Sequence, residues 1–171
     1  MPGELREVAE ISCSFMRMAR RLCLQPKGSN HEAPSMNDRP KVAPYLTVTP
    51  AAAAIAFYSS AFGARQKAFM PALDGVRVMH CELEINGGAV MLSDSFPEYG
   101  KARSPLPGEP VTMSVSLEYD SAAQVDEVIQ RVAALGATTE MGPMNSFWGT
   151  RFAIIRDPFG HRWMLNAPIK P

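Results

Sequence analysis

Between residues 42 and 167 the chain states one pattern twice. Val42 to Val48 alternates, with Val42, Leu46 and Val48 on one face and Ala43, Tyr45 and Thr47 on the other, which predicts a strand. A helix is expected immediately afterwards. Thr49 is a good N-cap, Pro50 suits the first helical position, Ile55, Tyr58 and Phe62 recur on one side, and Gly63 ends the run. Past Pro110 the pattern returns: Val111, Met113, Val115 and Leu117 alternate with Thr112, Ser114 and Ser116. Asp120 or Ser121 then caps a helix carrying Val125, Val128, Val132 and Leu135, up to Gly136. Gly63-Ala64 and Gly136-Ala137 lie 73 residues apart, and so do Met91-Leu92 and Met164-Leu165. Two distant landmarks that agree on one period indicate a duplicated unit that buries its apolar face together with its copy.

Each unit also carries hairpin signals. Asn86-Gly87-Gly88 joins Val78 to Ile85 with Ala89 to Asp94, and Asp157-Pro158-Phe159-Gly160 joins Arg151 to Arg156 with His161 to Asn166. Met141 to Trp148 reads as a loop. Module one is expected over 41–94, a proline-rich connector over 95–110 and module two over 111–167.

Strand parity assigns the faces. A two-residue turn at 86–87 or 87–88 pairs even positions with odd ones, so His80, Glu82 and Glu84 share a face with Met91 and Ser93. Met79, Cys81, Leu83, Ile85, Val90 and Leu92 then form the helix-covered side. A turn centred on Pro158-Phe159 places Phe152, Ile154, Trp163 and Leu165 in the core, and turns Arg151, Ala153, Ile155, Arg162 and Met164 the other way.

A chain of 171 residues buries one sizeable core. Lys plus Arg and Asp plus Glu number 17 each, which argues against nucleic acid and anionic membrane as partners and leaves small molecules and proteins. Residues 1–40 are expected to be an extension: an amphipathic helix over 5–24, with Leu5, Val8, Ile11, Phe15, Met18 and Leu22 on one side, then a polar linker. Glu4, Glu7 and Glu10 stand where a secretory signal needs basic residues, and no run is long enough to span a bilayer. Cys13, Cys23 and Cys81 lack metal-type spacing and suggest reduced thiols, hence a cytoplasmic protein. Phosphate-binding glycine loops, His-Glu-x-x-His and a nucleophile elbow are all missing from the sequence.

The order strand, helix ending Phe57-Tyr58 then Gly63-Ala64, strands, connector, and a second unit closing on Asp157-Pro-Phe-Gly-His-Arg-Trp163 resembles the vicinal oxygen chelate superfamily of glyoxalases, ring-cleaving dioxygenases and antibiotic-resistance proteins. Pro44-Tyr45-Leu46, Met79-His80, Met91-Leu92-Ser93-Asp94 and Phe147-Trp148-Gly149 are similar to its PhnB-like branch. The resemblance implies an α+β fold: two tandem βαβββ modules whose curved mixed sheets surround a cup, with the helices on the outer face. It also implies a homodimer. Metal ligands of the family would fall on Ala43, Met91, Ser114 and Met164, none a usual donor to a divalent cation, so neither a metal nor another cofactor is expected.

The expected cup has Tyr45, Met91, Met164 and Trp148 as walls and His80, Glu82, Ser93, Ser114 and Arg151 as polar points. That mixture suits a small organic ligand with an apolar body and one polar or anionic group. The leading expectation is therefore a metal-independent binding protein. The alternatives are an enzyme of the same superfamily, with acid/base chemistry at His80 and Glu82 or an unrecognised metal site, and a dimeric scaffold whose N-terminal helix docks a partner.

Overall fold

The computed structural model describes residues 41–106 and 108–169. The expected helix over 5–24, the linker after it, Cys13 and Cys23 lie outside the described residues. The elements are β1 (Tyr45–Thr47), α1 (Ala51–Phe62), β2 (Arg65–Pro71), β3 (Val78–Ile85), β4 (Gly88–Ser93), β5 (Ser114–Glu118), α2 (Ala122–Ala134), β6 (Thr138–Asn145), β7 (Thr150–Arg156) and β8 (Arg162–Pro168). They form two four-stranded sheets of the same design, ordered β1-β4-β3-β2 and β5-β8-β7-β6. In each, the first strand pairs parallel with the last and the remaining pairs are antiparallel. This is the expected α+β fold of tandem βαβββ modules.

The first hairpin folds as its sequence dictates. Asn86 and Gly87 both take positive φ, 49° and 78°, the requirement of a two-residue turn that matches strand twist. Glu82 therefore pairs with Met91 and Cys81 with Leu92. The start of α1 differs from expectation. Its N-cap is Pro50, which offers no side-chain acceptor, and Asp94 at the end of β4 takes over by accepting from the Ala51 amide at 3.0 Å and the Val78 amide at 2.7 Å. Helix α2 has a full capping box between Ser121 and Gln124.

Two expectations for module two are corrected. Strand β6 runs through much of the stretch read as a loop, because Gly142 and a shift in register near Met141 bend the strand rather than end it. In the second hairpin, Asp157 accepts from the amides of Phe159 and His161, and its own amide donates to the His161 carbonyl. Five residues are thereby looped out, so Arg156 pairs with Arg162 and even positions face even ones. Ala153 and Ile155 join Trp163 and Leu165 in the core, whereas Phe152 and Ile154 share the opposite face with Met164.

One core serves both modules. Tyr58 and Phe62 of α1 pack on Trp163 of β8, at ring separations of 5.1 and 4.8 Å, and Phe57 meets Phe159 at 6.0 Å. Buried aromatic contacts of this kind each add about 1 kcal/mol beyond burial. Two further polar contacts bridge the modules: the Asn86 side chain donates to the Glu118 carbonyl, and His161 Nε2 lies 3.1 Å from the Thr47 carbonyl. No helix among the described residues is long and apolar enough to cross a membrane.

Candidate functional site

The sheet faces turned away from the shared core carry the chemistry. On module one, the Tyr45 ring stacks on His80 with centroids 5.7 Å apart and 27° between planes. Its hydroxyl lies 3.1 Å from His80 Nδ1, and His80 Nε2 lies 3.2 Å from Glu82 Oε1. A carboxylate only accepts, so with Glu82 ionised Nε2 carries the hydrogen and Nδ1 accepts from the Tyr45 hydroxyl. Three side chains from β1 and β3 thus make one hydrogen-bonded row. Exposure falls along it, from 50% for Tyr45 to 6% for Glu82, which lies in register between Ala68 of β2 and Met91 of β4. Tyr45 is the member of the row most open to solvent.

The positions on module two that match Glu82 and His80 are apolar. Ile154 pairs with Met164 as Glu82 pairs with Met91, and Phe152 follows, with Trp148 against its ring at 5.4 Å. Nearer the start of β8, Glu140 accepts from Arg156 Nε and Arg162 Nε, both at 2.6 Å, and Arg162 Nη1 donates to Ser114 Oγ at 3.0 Å. These contacts, Arg162 first and Arg156 after it, hold the Glu140 carboxyl below its ordinary range against an opposing push from burial. Burial, with the Glu82 charge adding to it, pushes the Cys81 thiol up to about 12, which suits a packed side chain and not a nucleophile.

A cavity of about 340 Å³ opens at the seam between β1 and the connector. Tyr45, Thr47, Glu109, Thr112, Met113 and His161 are among its walls; Met91 and Met164 are not. The Tyr45 side of the polar row therefore borders the concave space.

The family profile described as Glyoxalase/Bleomycin resistance protein/Dioxygenase superfamily matches residues 41–165. The chain belongs to this superfamily. It is 38% identical over 140 residues to Mb0911c of Mycobacterium bovis, a match covering 80% of this chain and 88% of that one. The crystal structure of PA1353 from Pseudomonas aeruginosa is similar with a TM-score of 0.60 and 27% identity, covering 76% of this chain and 98% of that one. A PhnB protein from Bacillus cereus shares the fold, with a TM-score of 0.58 at 20% identity over 75% of this chain and 99% of that one.

Glyoxalase-superfamily enzymes that use a metal need several hard or borderline donors converging on the cup. Tyr45 stands beside Met91 and Ser116 beside Met164 in register, so each pair offers a hydroxyl and a thioether. Among the described residues, no three His, Cys, Asp or Glu side chains come together as a metal set. These donors do not fit a divalent cation, and no chemical step is drawn through one.

Of the expected site residues, the structure brings Tyr45, His80, Glu82 and Met91 together, and Ser93 sits in register with Thr47 at the same end of the sheet. Ser114 is tied to Arg162, while Met164 and Trp148 lie on the apolar face of module two. Arg151 is a correction. The five-residue hairpin turns it to the helix side, where its guanidinium bonds Asp126 of α2 at 2.8 to 2.9 Å. The arginines that do share the face of Met164 are Arg156 and Arg162. Parity had already placed Arg162 there, but its partner Glu140 belongs to the strand that read as helix-to-loop sequence.

Proposed function

We propose that this superfamily member binds a small organic molecule, without a divalent metal, against the Tyr45–His80–Glu82 row. The observation that carries the reading is the row itself: a nearly buried carboxylate holds an imidazole, which holds a half-exposed phenol at the edge of a cavity. Buried polar groups fixed in this way orient a ligand, and Met91, in register with Glu82, supplies surface for an apolar body. The order of motifs around Tyr45, His80 and Trp148 supports a PhnB-like placement within the superfamily, and the same reading takes the protein as a cytoplasmic homodimer.

Acid/base catalysis is the second reading, favoured by the opposed contacts on the two His80 nitrogens. If Nδ1 takes the Tyr45 proton, Glu82 balances the imidazolium, and the phenolate oxygen faces the ligand as a base.

Ligand-observed NMR with small aromatic and aliphatic compounds, followed by Tyr45→Phe and His80→Gln, tests both readings. Each variant is expected to weaken binding about tenfold while staying folded, the loss of roughly one good hydrogen bond. Undiminished binding by both variants overturns the assignment of the row. About one tightly held metal per chain in protein purified without a histidine tag overturns metal independence. Turnover of a bound carbonyl compound that stops in Tyr45→Phe favours the enzyme.

A further inference from the structure

The Arg156–Glu140–Arg162 cluster has more positive charge than its partners neutralise. Arg103 and Glu109 satisfy each other through a two-pronged contact at 2.8 and 3.0 Å. That leaves Glu140 as the single carboxylate bonded to both Arg156 and Arg162. Their remaining contacts are to neutral oxygens: Arg162 to Ser114 Oγ, and Arg156 to the carbonyls of Glu109 at 3.3 Å and Gly160 at 3.0 Å. Both arginine side chains are less than a third exposed, so the surplus charge is only partly hydrated. A planar guanidinium in such a place matches a carboxylate or phosphate oxygen pair.

Neither arginine is among the residues lining the seam cavity, and the cluster is linked to it through two neighbours. Glu109, whose carbonyl receives Arg156, lines that cavity, and Ser114, which receives Arg162, follows the lining residue Met113. Leu46, Pro105, Pro110, Val111 and Met113 give the same cavity apolar walls. We propose that Arg156 and Arg162 form an anion subsite, and that the ligand is an organic oxyacid whose apolar body occupies the seam cavity. The inference rests on the reading that this region of the protein binds a small organic molecule, and it names the charge of that molecule. Its anionic head completes the neutralisation that Glu140 alone leaves unfinished.

The test uses the full chain, labelled so that the arginine Nε–Hε signals are observed, and three probes with one ring: benzoate, phenyl phosphate and benzyl alcohol. Benzoate or phenyl phosphate is expected to shift the Arg156 and Arg162 signals saturably and to bind about tenfold tighter than benzyl alcohol, as a charge-assisted contact should. Whichever anion binds tighter identifies the carboxylate or the phosphate as the natural head group. Arg162→Gln should remove the preference for anions, whereas Glu140→Gln, which frees both guanidiniums, should strengthen anion binding several-fold. That gain of affinity cannot arise from misfolding. No shift at either arginine, or anion binding no tighter than that of benzyl alcohol, overturns the subsite. If benzyl alcohol still binds and loses affinity in Tyr45→Phe, the wider binding reading survives that failure; if it binds without regard to Tyr45, both fall.

Discussion

The Tyr58 hydroxyl donates to Asp157 Oδ2 at 2.7 Å, joining the helix of module one to the hairpin of module two. Trp163 Nε1 donates to the same oxygen at 2.9 Å, and the amides of Phe159 and His161 use the other one. Asp157→Ala would leave these donors buried without their acceptor and is expected to cost about 3–5 kcal/mol in urea unfolding. Tyr58→Phe removes one bond and should cost about 1–2 kcal/mol. Burial, and then the Asp157 charge, raise the Tyr58 phenol well above its ordinary 10.0. Its contribution is complete below that pH and is lost as pH rises beyond it, so the gap between wild type and Tyr58→Phe should narrow in alkali. A gap constant from pH 7 to 11 would contradict this.

Arg151→Ala should leave ligand affinity unchanged. The residue bonds Asp126 on the helix side, and a partly exposed pair of this kind contributes about 0.5–1 kcal/mol. A selective loss of ligand binding in a fully folded variant would return Arg151 to the site.

Glu140 gives an acid signature. Its carboxyl is held below the ordinary 4.5, chiefly by Arg162 and then Arg156, so its stabilisation is present above that pH and fades as pH falls. Glu140→Gln should therefore be less stable than wild type at neutral pH, by on the order of 1 kcal/mol, and the two should converge in acid. Denaturation curves from pH 3 to 7 check the sign.

Met164→Arg and Met91→Arg both place a charge on partly open faces, so each is expected to fold and to lose binding of neutral apolar ligands. Loss of folding by both would mean that these thioethers are closed core. Removal of residues 1–39 should move the melting temperature little, because the repeat begins after them. A large drop on truncation would tie the extension to the core.

Some of this was legible in the sequence because local chemistry determined it. Asn86-Gly87 specifies its turn, so the face of His80 and Glu82 followed from counting. Asp157 to His161 did not, since only the folded Asp157 carboxylate, bonding Phe159 and His161 together, shows that five residues are looped out. That single step in parity moved Arg151 away from the cup. The stacking of Tyr45 on His80 was equally out of reach, because β4 lies between their strands and side-chain rotation decides the contact. Glu140 was hidden by the bent strand around Gly142, where a Cβ would come within 2.5 Å of the Phe152 carbonyl.

Each repeat relies on the other to complete its core. Helix α1 of the first needs Trp163 of the second, and the Asp157 carboxylate of the second needs Tyr58 of the first. Cutting the chain within the connector should give halves that aggregate separately and reassemble when mixed. By the same logic, an ancestor carrying one module would have been stable only as a pair of copies, and the duplication turned an association that depended on concentration into one set by the length of a tether.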